Sequence, residues 1–157
     1  MITKDDILSA QKAWGDALIE IGKLKNNRAA CEALTSEIID RYYAFDLGSV
    51  LFKPTRAKET QFRGTRDGAY SYFIGGSDSF PEDTGFALQP WTKVEFDNAG
   101  GMFIYEDYAV AMGNYFFTEA VTGDIKKVEY TFGYIKDKKG ALKINLHHSS
   151  VPFTPSM

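Results

Sequence analysis

The hydrophobic period changes once along this chain, and that change constrains the fold more than any other feature. Up to about residue 74 apolar residues recur at three- and four-residue steps, and from about residue 86 they recur at two. The first spacing belongs to helices and the second to half-buried strands. Two long helices and a short one, followed by a run of antiparallel strands, predict an α+β fold with the helices packed on one sheet. A strongly curved sheet wrapped around helices makes a cone with a pocket at its open end.

The predicted elements follow from local signals. Thr3 with Asp6 three residues on forms a loose capping box, and Ile7, Ala10, Trp14, Leu18 and Ile21 make one apolar face that ends near Gly22. A second helix is expected from about Asn27, with Ala30, Leu34, Ile38, Tyr42 and Phe45 on its stripe and Gly48 as terminator. Ser49 to Thr55 reads as extended, because Pro54 pushes Lys53 out of helical geometry. A short third helix is predicted over 66–74, stopped by Gly75 and Gly76, and the polar stretch from Ser77 to Gly85 reads as a surface loop. Strands are expected from Phe86 to Asn98, with Pro90 at an edge or bulge, and from Met102 to Ala111, continuing to Thr118. Two more run from Lys126 to Asp137 and from Ala141 to Val151, joined by a hairpin at Lys138-Lys139-Gly140. Val128, Tyr130, Phe132 and Tyr134 point one way along the third of them.

With 157 residues the chain fits one domain, 1–157. A domain near 150 residues buries roughly two-thirds of its unfolded surface, so a core is available. Twelve Phe, nine Tyr and two Trp predict that this core, or a cavity in it, is lined by rings. The net charge of −3 comes from interleaved signs with no basic stripe, so nucleic acid is not an expected partner. Cys31 is the only cysteine, so no intrachain disulfide can form; in mid-helix it reads as a buried, inert thiol. No apolar stretch approaches the roughly 18 residues of a membrane span, and the N-terminus lacks a secretory pattern. A cytoplasmic protein without membrane contact is the default, with an organelle as the alternative if a transit peptide or a longer precursor has been removed.

The possible chemistry narrows by exclusion. A catalytic zinc ion takes three protein ligands, mostly His and Cys. The chain offers only His147, His148 and Cys31, and neighbouring strand residues face opposite sides. No metal and no other cofactor is expected. A nucleophile elbow is absent, and the glycine pairs at 75–76 and 100–101 read as turns, not phosphate cradles. What remains is Leu146-His147-His148-Ser149-Ser150-Val151-Pro152, with both histidines and two hydroxyls at the end of the last strand. The plainer reading makes one His an interior residue and the other an interface residue; the functional reading rests on the suitability of His for moving protons near neutral pH. Strict alternation puts His147 and Ser149 with Lys143 and Asn145, and His148 and Ser150 with Leu142, Ile144 and Leu146. Thr55 after Pro54, Tyr72 in Ala69-Tyr-Ser-Tyr-Phe73, and Asn114-Tyr115 are further polar groups among aromatics, where core packing is the plainer role.

Several stretches together resemble the iota-class carbonic anhydrases: His147-His-Ser-Ser-Val-Pro152, Glu129-Tyr-Thr-Phe-Gly-Tyr134 and Ala111-Met-Gly-Asn-Tyr-Phe-Phe-Thr118. Val50-Leu-Phe-Lys-Pro-Thr55, Ser71-Tyr-Phe-Ile-Gly-Gly76 and Gly85-Phe-Ala-Leu-Gln-Pro-Trp91 add to it, so that the similarity runs from about Ala10 to Phe153. More broadly the chain resembles the association domain of calcium/calmodulin-dependent kinase II and the SnoaL-like, nuclear-transport-factor-like cone. The resemblance implies metal-independent hydration of carbon dioxide to bicarbonate, with Thr55, Tyr72, His147 and Ser149 as pocket residues. In that reading hydroxyls hold water and carbon dioxide, and His147 takes the water's proton or passes it on. Tyr70 lies close to Tyr72, and the pair His148 and Ser150 is the alternative to His147 and Ser149. The rival function is a non-catalytic association or small-ligand module on the same cone. Isomerase or hydrolase chemistry would need an isolated buried base, and no acidic residue stands out. A homodimer paired through outer sheet faces is expected, with the aromatics of the last strands supplying the patch.

Overall fold

The computed structural model describes residues 1–155. Three helices, α1 (Lys4–Lys23), α2 (Arg28–Tyr42) and α3 (Arg66–Ile74), accompany five strands, β1 (Leu51–Lys53), β2 (Trp91–Tyr105), β3 (Tyr108–Glu119), β4 (Ile125–Lys136) and β5 (Leu142–Ser150). The strands form one sheet in the order β1-β5-β4-β3-β2, antiparallel except for the β1–β5 pair. This is the expected α+β class. No described helix is long and apolar enough to cross a membrane.

Local chemistry accounts for the helix ends. The Thr3 side chain accepts from the Asp6 N–H, and the Asp6 carboxylate accepts from the Thr3 N–H, satisfying two donors that the first turn leaves unpaired. Asn27 caps α2 and Thr65 caps α3 from one side only, their side chains accepting from the N–H groups of Ala30 and Gly68. Gly75, at φ 65°, closes α3 in the left-handed region that glycine tolerates. Gly22 does not stop α1; it is buried one residue before the end, against Pro90 and the Ala87 carbonyl.

The second helix departs from expectation. It ends at Tyr42, not near Gly48, because Tyr43 bridges to Ile144 and the Ala44 N–H donates to the Ile144 carbonyl. Its buried residues are Cys31, Thr35, Ile38 and Ile39, so the stripe is rotated from the predicted one. The strand expected from Phe86 begins at Trp91; Phe86–Leu88 is a 3₁₀ turn. Gly100 and Gly101 make no turn: they sit in a bulge of β2, whose register slips between Asp97 and Gly101. The turn comes later, at Glu106 and Asp107, with Glu106 at φ 54°.

The inner face of the sheet carries the core. Ala109, Ala111, Tyr115 and Phe117 of β3 and Val128, Tyr130, Phe132 and Tyr134 of β4 are all buried. Trp14 of α1 reaches into this face and meets the rings of Phe96, Tyr115, Phe117 and Phe132 at 5.4–6.3 Å between centroids. The aromatics of the last strands therefore pack inward and do not supply an outer patch. Exposed apolar side chains of the sheet include Phe103, Tyr105, Tyr108 and Met112 at the β2–β3 side, with Leu51 and Ile125 elsewhere.

Candidate active site

Parity along β5 decides which polar residues enter the core. Gly133 pairs with Leu146 but Tyr134 pairs with Ile144, so Asn145 is an extra residue in β5. One extra residue reverses which face the following side chains take. Ile144 lies inward before the bulge, and His147 and Ser149 lie inward after it, opposite Phe132 and Tyr130. His148 and Ser150 fall opposite Thr131 and Glu129 on the outer face. Gly133 is required there, because a Cβ would come within 2.7 Å of Asn145 Oδ1 and 2.8 Å of Leu146 Cβ.

Parallel pairing of β1 with β5 brings the other elements to this point. Phe52 sits opposite His147 and stacks on it at 4.7 Å. Three residues on, Thr55 Oγ1 lies 2.5 Å from Ser149 Oγ. The loop that carries Thr55 is tied down beneath. Arg63, wholly buried, grips Asp83 with two bonds of 2.7 and 2.8 Å, and Asp83 also accepts from Ser71 of α3 at 2.6 Å. Glu82 accepts from the backbone N–H groups of Lys58, Glu59 and Thr60. A buried, doubly bonded pair of this kind is costly to break from one side.

Thr55, Tyr72, His147 and Ser149 line one cavity, together with Trp14, Phe73, Phe86 and Tyr115. It offers about 10 Å³ to the centre of a water-sized molecule, which is room for about one. Tyr72, on α3, turns into it, and its oxygen accepts from the Arg56 backbone N–H at 3.2 Å. Tyr70 is only half-buried and does not line this cavity. His148 and Ser150 border an open hollow of about 600 Å³ on the outer face, where Ser150 Oγ is engaged with Glu129. The two alternatives are thus separated by the fold.

Three residues outside the sequence-derived set complete the arrangement. Tyr115 on β3 donates to Ser149 Oγ at 2.5 Å and meets His147 Nε2 at 3.1 Å. Tyr43 meets His147 Nδ1 at 2.9 Å, and Trp14 Nε1 donates to Tyr43 at 3.1 Å. Tyr115 carried a signal, a hydroxyl in a strand of rings. Tyr43 carried none, because it lay inside a helix predicted to run on toward Gly48 and off its apolar stripe.

Counting hydrogens fixes the direction of this chain. Tyr115 has one hydrogen and gives it to Ser149, so it accepts from Nε2–H of His147. Tyr43 receives the Trp14 N–H, and its own hydrogen has His147 Nδ1 as acceptor. Both ends assign the imidazole hydrogen to Nε2. Burial, then the nearby His148, hold the His147 pKa well below its ordinary value, so the ring is neutral. Burial raises Tyr115, and pushes Tyr72 up to about 12 against the Arg56 N–H that lowers it. Both phenols therefore stay protonated at neutral pH. Donors run from Trp14 through the ring toward the cavity, where the hydroxyls of Ser149, Thr55 and Tyr72 end. Such a site offers hydrogens to an oxygen-rich, electron-rich guest.

Among the described residues no three His, Cys, Asp or Glu side chains converge to hold one metal ion. The sequence matches the family described as metal-independent carbonic anhydrase over residues 5–151. A metal-independent carbonic anhydrase of Nostoc sp. is 44% identical over 155 residues, covering 97% of this chain and 75% of that protein. The crystal structure of a cyanobacterial iota-carbonic anhydrase complexed with bicarbonate superposes with a TM-score of 0.93 at 44% identity, over 98% of this chain and 94% of that one. The family match over residues 5–151 and the two similarities that span nearly all of this chain agree with an inward-facing hydroxyl cluster on this sheet: the chain belongs to the metal-independent carbonic anhydrase family.

Proposed function

We propose that the buried hydroxyl cluster hydrates carbon dioxide to bicarbonate without a metal ion. The observation that carries this reading is the hydrogen-bond direction: neutral donors converge from three elements on a cavity of about one water. The hydroxyls seat the attacking water in this cavity, and apolar carbon dioxide meets it from the adjoining hollow that shares Thr55 and Phe86, which saves the entropy of bringing them together.

His147 is not the base in this scheme, because its Nε2 already carries a hydrogen toward Tyr115. It is a positioning residue that keeps Tyr115, and through it Ser149, aimed at the cavity. A hydroxyl can take a proton while giving up its own. Ser149 accepts a proton from the water as its own passes to Thr55, and Thr55 delivers one to a carbon dioxide oxygen. A C–O bond forms, one C=O π bond opens, and the product is carbonic acid, which releases a proton to solvent as bicarbonate. Tyr72 steadies the charge that grows on the product oxygens. Stopped-flow hydration at neutral pH tests the reading, and the rate is expected to survive a strong chelator. A rate no faster than buffer would favour a non-catalytic ligand or association module. Activity lost to chelation and restored by zinc or manganese would refute the metal-free scheme.

A homodimer is the assembly this reading favours, paired through the outer face of the sheet. The support is the exposure of Phe103, Tyr105 and Met112 on that face. Sedimentation of a monomer at micromolar concentration would overturn it.

A further inference from the structure

A second hollow, of about 290 Å³, adjoins the catalytic cavity, and Thr55 and Phe86 line both. Its walls combine rings and aliphatics, among them Trp91, Phe117 and Val128, with the basic residues Arg56, Lys126 and Lys127. No Asp or Glu lines it. An entrance with this composition admits an apolar gas and attracts an anion.

Two of these three cations are placed by the fold. Arg56 follows Thr55, and its guanidinium lies over the rings of Phe86 and Trp91 at 5.2 and 5.7 Å from their centroids. Nη1 donates to Gln89 Oε1 at 2.7 Å, while Nε and Nη2 have no acceptor among the described residues. Lys126 pairs with Phe117 across β3 and β4, and so shares the inner parity of Val128; Lys127 turns the other way. Lys126 has no ion-pair partner within 4.0 Å among the described residues. Glu119, which feels the Lys126 charge, has its Oε2 taken by the Thr122 N–H and hydroxyl at 2.7 Å.

We propose that this hollow is the antechamber of the catalytic cavity, and that Arg56 and Lys126 form in it a subsite for small monovalent anions, through which bicarbonate leaves. A planar guanidinium with free N–H groups matches a planar oxyanion. Cations on a low-dielectric wall raise the local anion concentration. The identity of the physiological anion rests on the carbonic anhydrase reading; the existence of the subsite does not.

Iodide is the probe, since it is a monovalent anion and a collisional quencher of Trp91 in the same hollow. Quenching is measured against the neutral quencher acrylamide, at constant ionic strength held with gluconate, a bulky organic anion. In the intact protein iodide quenching should saturate. Arg56→Gln with Lys126→Gln should lower its quenching constant about three- to tenfold, leaving acrylamide quenching within about twofold. Arg56→Lys should retain most of the effect. In parallel, nitrate should inhibit carbon dioxide hydration, with its inhibition constant raised by a similar factor in the double variant. Lys126→Gln alone, on an exposed strand end, gives a folded variant should the double one fail, and should show part of the loss. Unchanged iodide quenching in a folded variant overturns the subsite, whatever the catalytic rate. A protein with no hydration rate but with charge-dependent, saturable iodide quenching keeps the subsite and loses bicarbonate as its ligand.

Discussion

His147 and His148 are neighbours, as are Ser149 and Ser150, yet the fold gives the two pairs opposite lives. His147 is 3% exposed and Ser149 1%, each bonded to a buried tyrosine. His148 is exposed, and Ser150 spends its hydroxyl on Glu129 at the outer surface. Residue type is identical within each pair, so the difference lies wholly in which side of the sheet a position takes. Side-chain chemistry alone does not make a site; burial beside oriented partners does.

The sharpest way to break the comparison is to strip one face at a time. Ser149→Ala with Thr55→Ala should bring hydration activity to background, whereas His148→Gln with Ser150→Ala should leave it within about twofold. Circular dichroism checks that both variants are folded. Next in size, Ser149→Ala or Thr55→Ala removes one hydroxyl of the proton relay and should lower kcat by about 10²–10³. Ser150→Ala should change it by less than about twofold, as surface substitutions usually do. Equal losses at both positions would end the argument from parity.

Tyr43→Phe should have a smaller effect, about tenfold on kcat, below the roughly 10²–10⁴ of groups that transfer the proton themselves, because Tyr43 acts only through His147. Its diagnostic is spectroscopic. With two histidines in the chain, nitrogen NMR should show His147 protonated on Nε2, and the variant should lose that preference. A hydrogen on Nδ1 in the intact protein would reverse the donor chain. The smallest effect concerns stability. The unfolded chain gains a proton on His147 near the ordinary value of 6.5, which the folded chain refuses. Stability is therefore full above pH 6.5 and declines as pH falls toward the depressed folded value, by about 1.4 kcal/mol per unit for one group. Comparing denaturant midpoints at pH 7 and 5.5, His147→Gln should remove this slope and His148→Gln should leave it.

Much of the fold was legible locally. The capping box at Thr3, the span of α3 and the inward row Val128, Tyr130, Phe132 and Tyr134 follow from short-range rules, and all occur as read. What could not be read depends on distant partners. The end of α2 is set by Ile144, a hundred residues away, and the Glu106-Asp107 turn lacks the Gly or Asn that announces a hairpin. The four residues singled out do share a cavity. Their ranking over His148, Ser150 and Tyr70 did not come from alternation, which placed Ile144 with His148; the Asn145 bulge lies between them and undoes that count.

By itself the order of amino acids determined the class of fold, the helix starts, the aromatic interior and the pool of hydroxyls and imidazoles from which a site is drawn. Those properties depend on neighbours three or four positions away at most, or on composition. Only the tertiary structure decided that Tyr43 and Trp14 join that pool, that Tyr115 bonds Ser149 and His147, and that His147 presents its hydrogen at Nε2. Direction along a hydrogen-bond chain is a property of the whole chain of partners: each group has a limited number of hydrogens, and where one goes depends on every other group it meets.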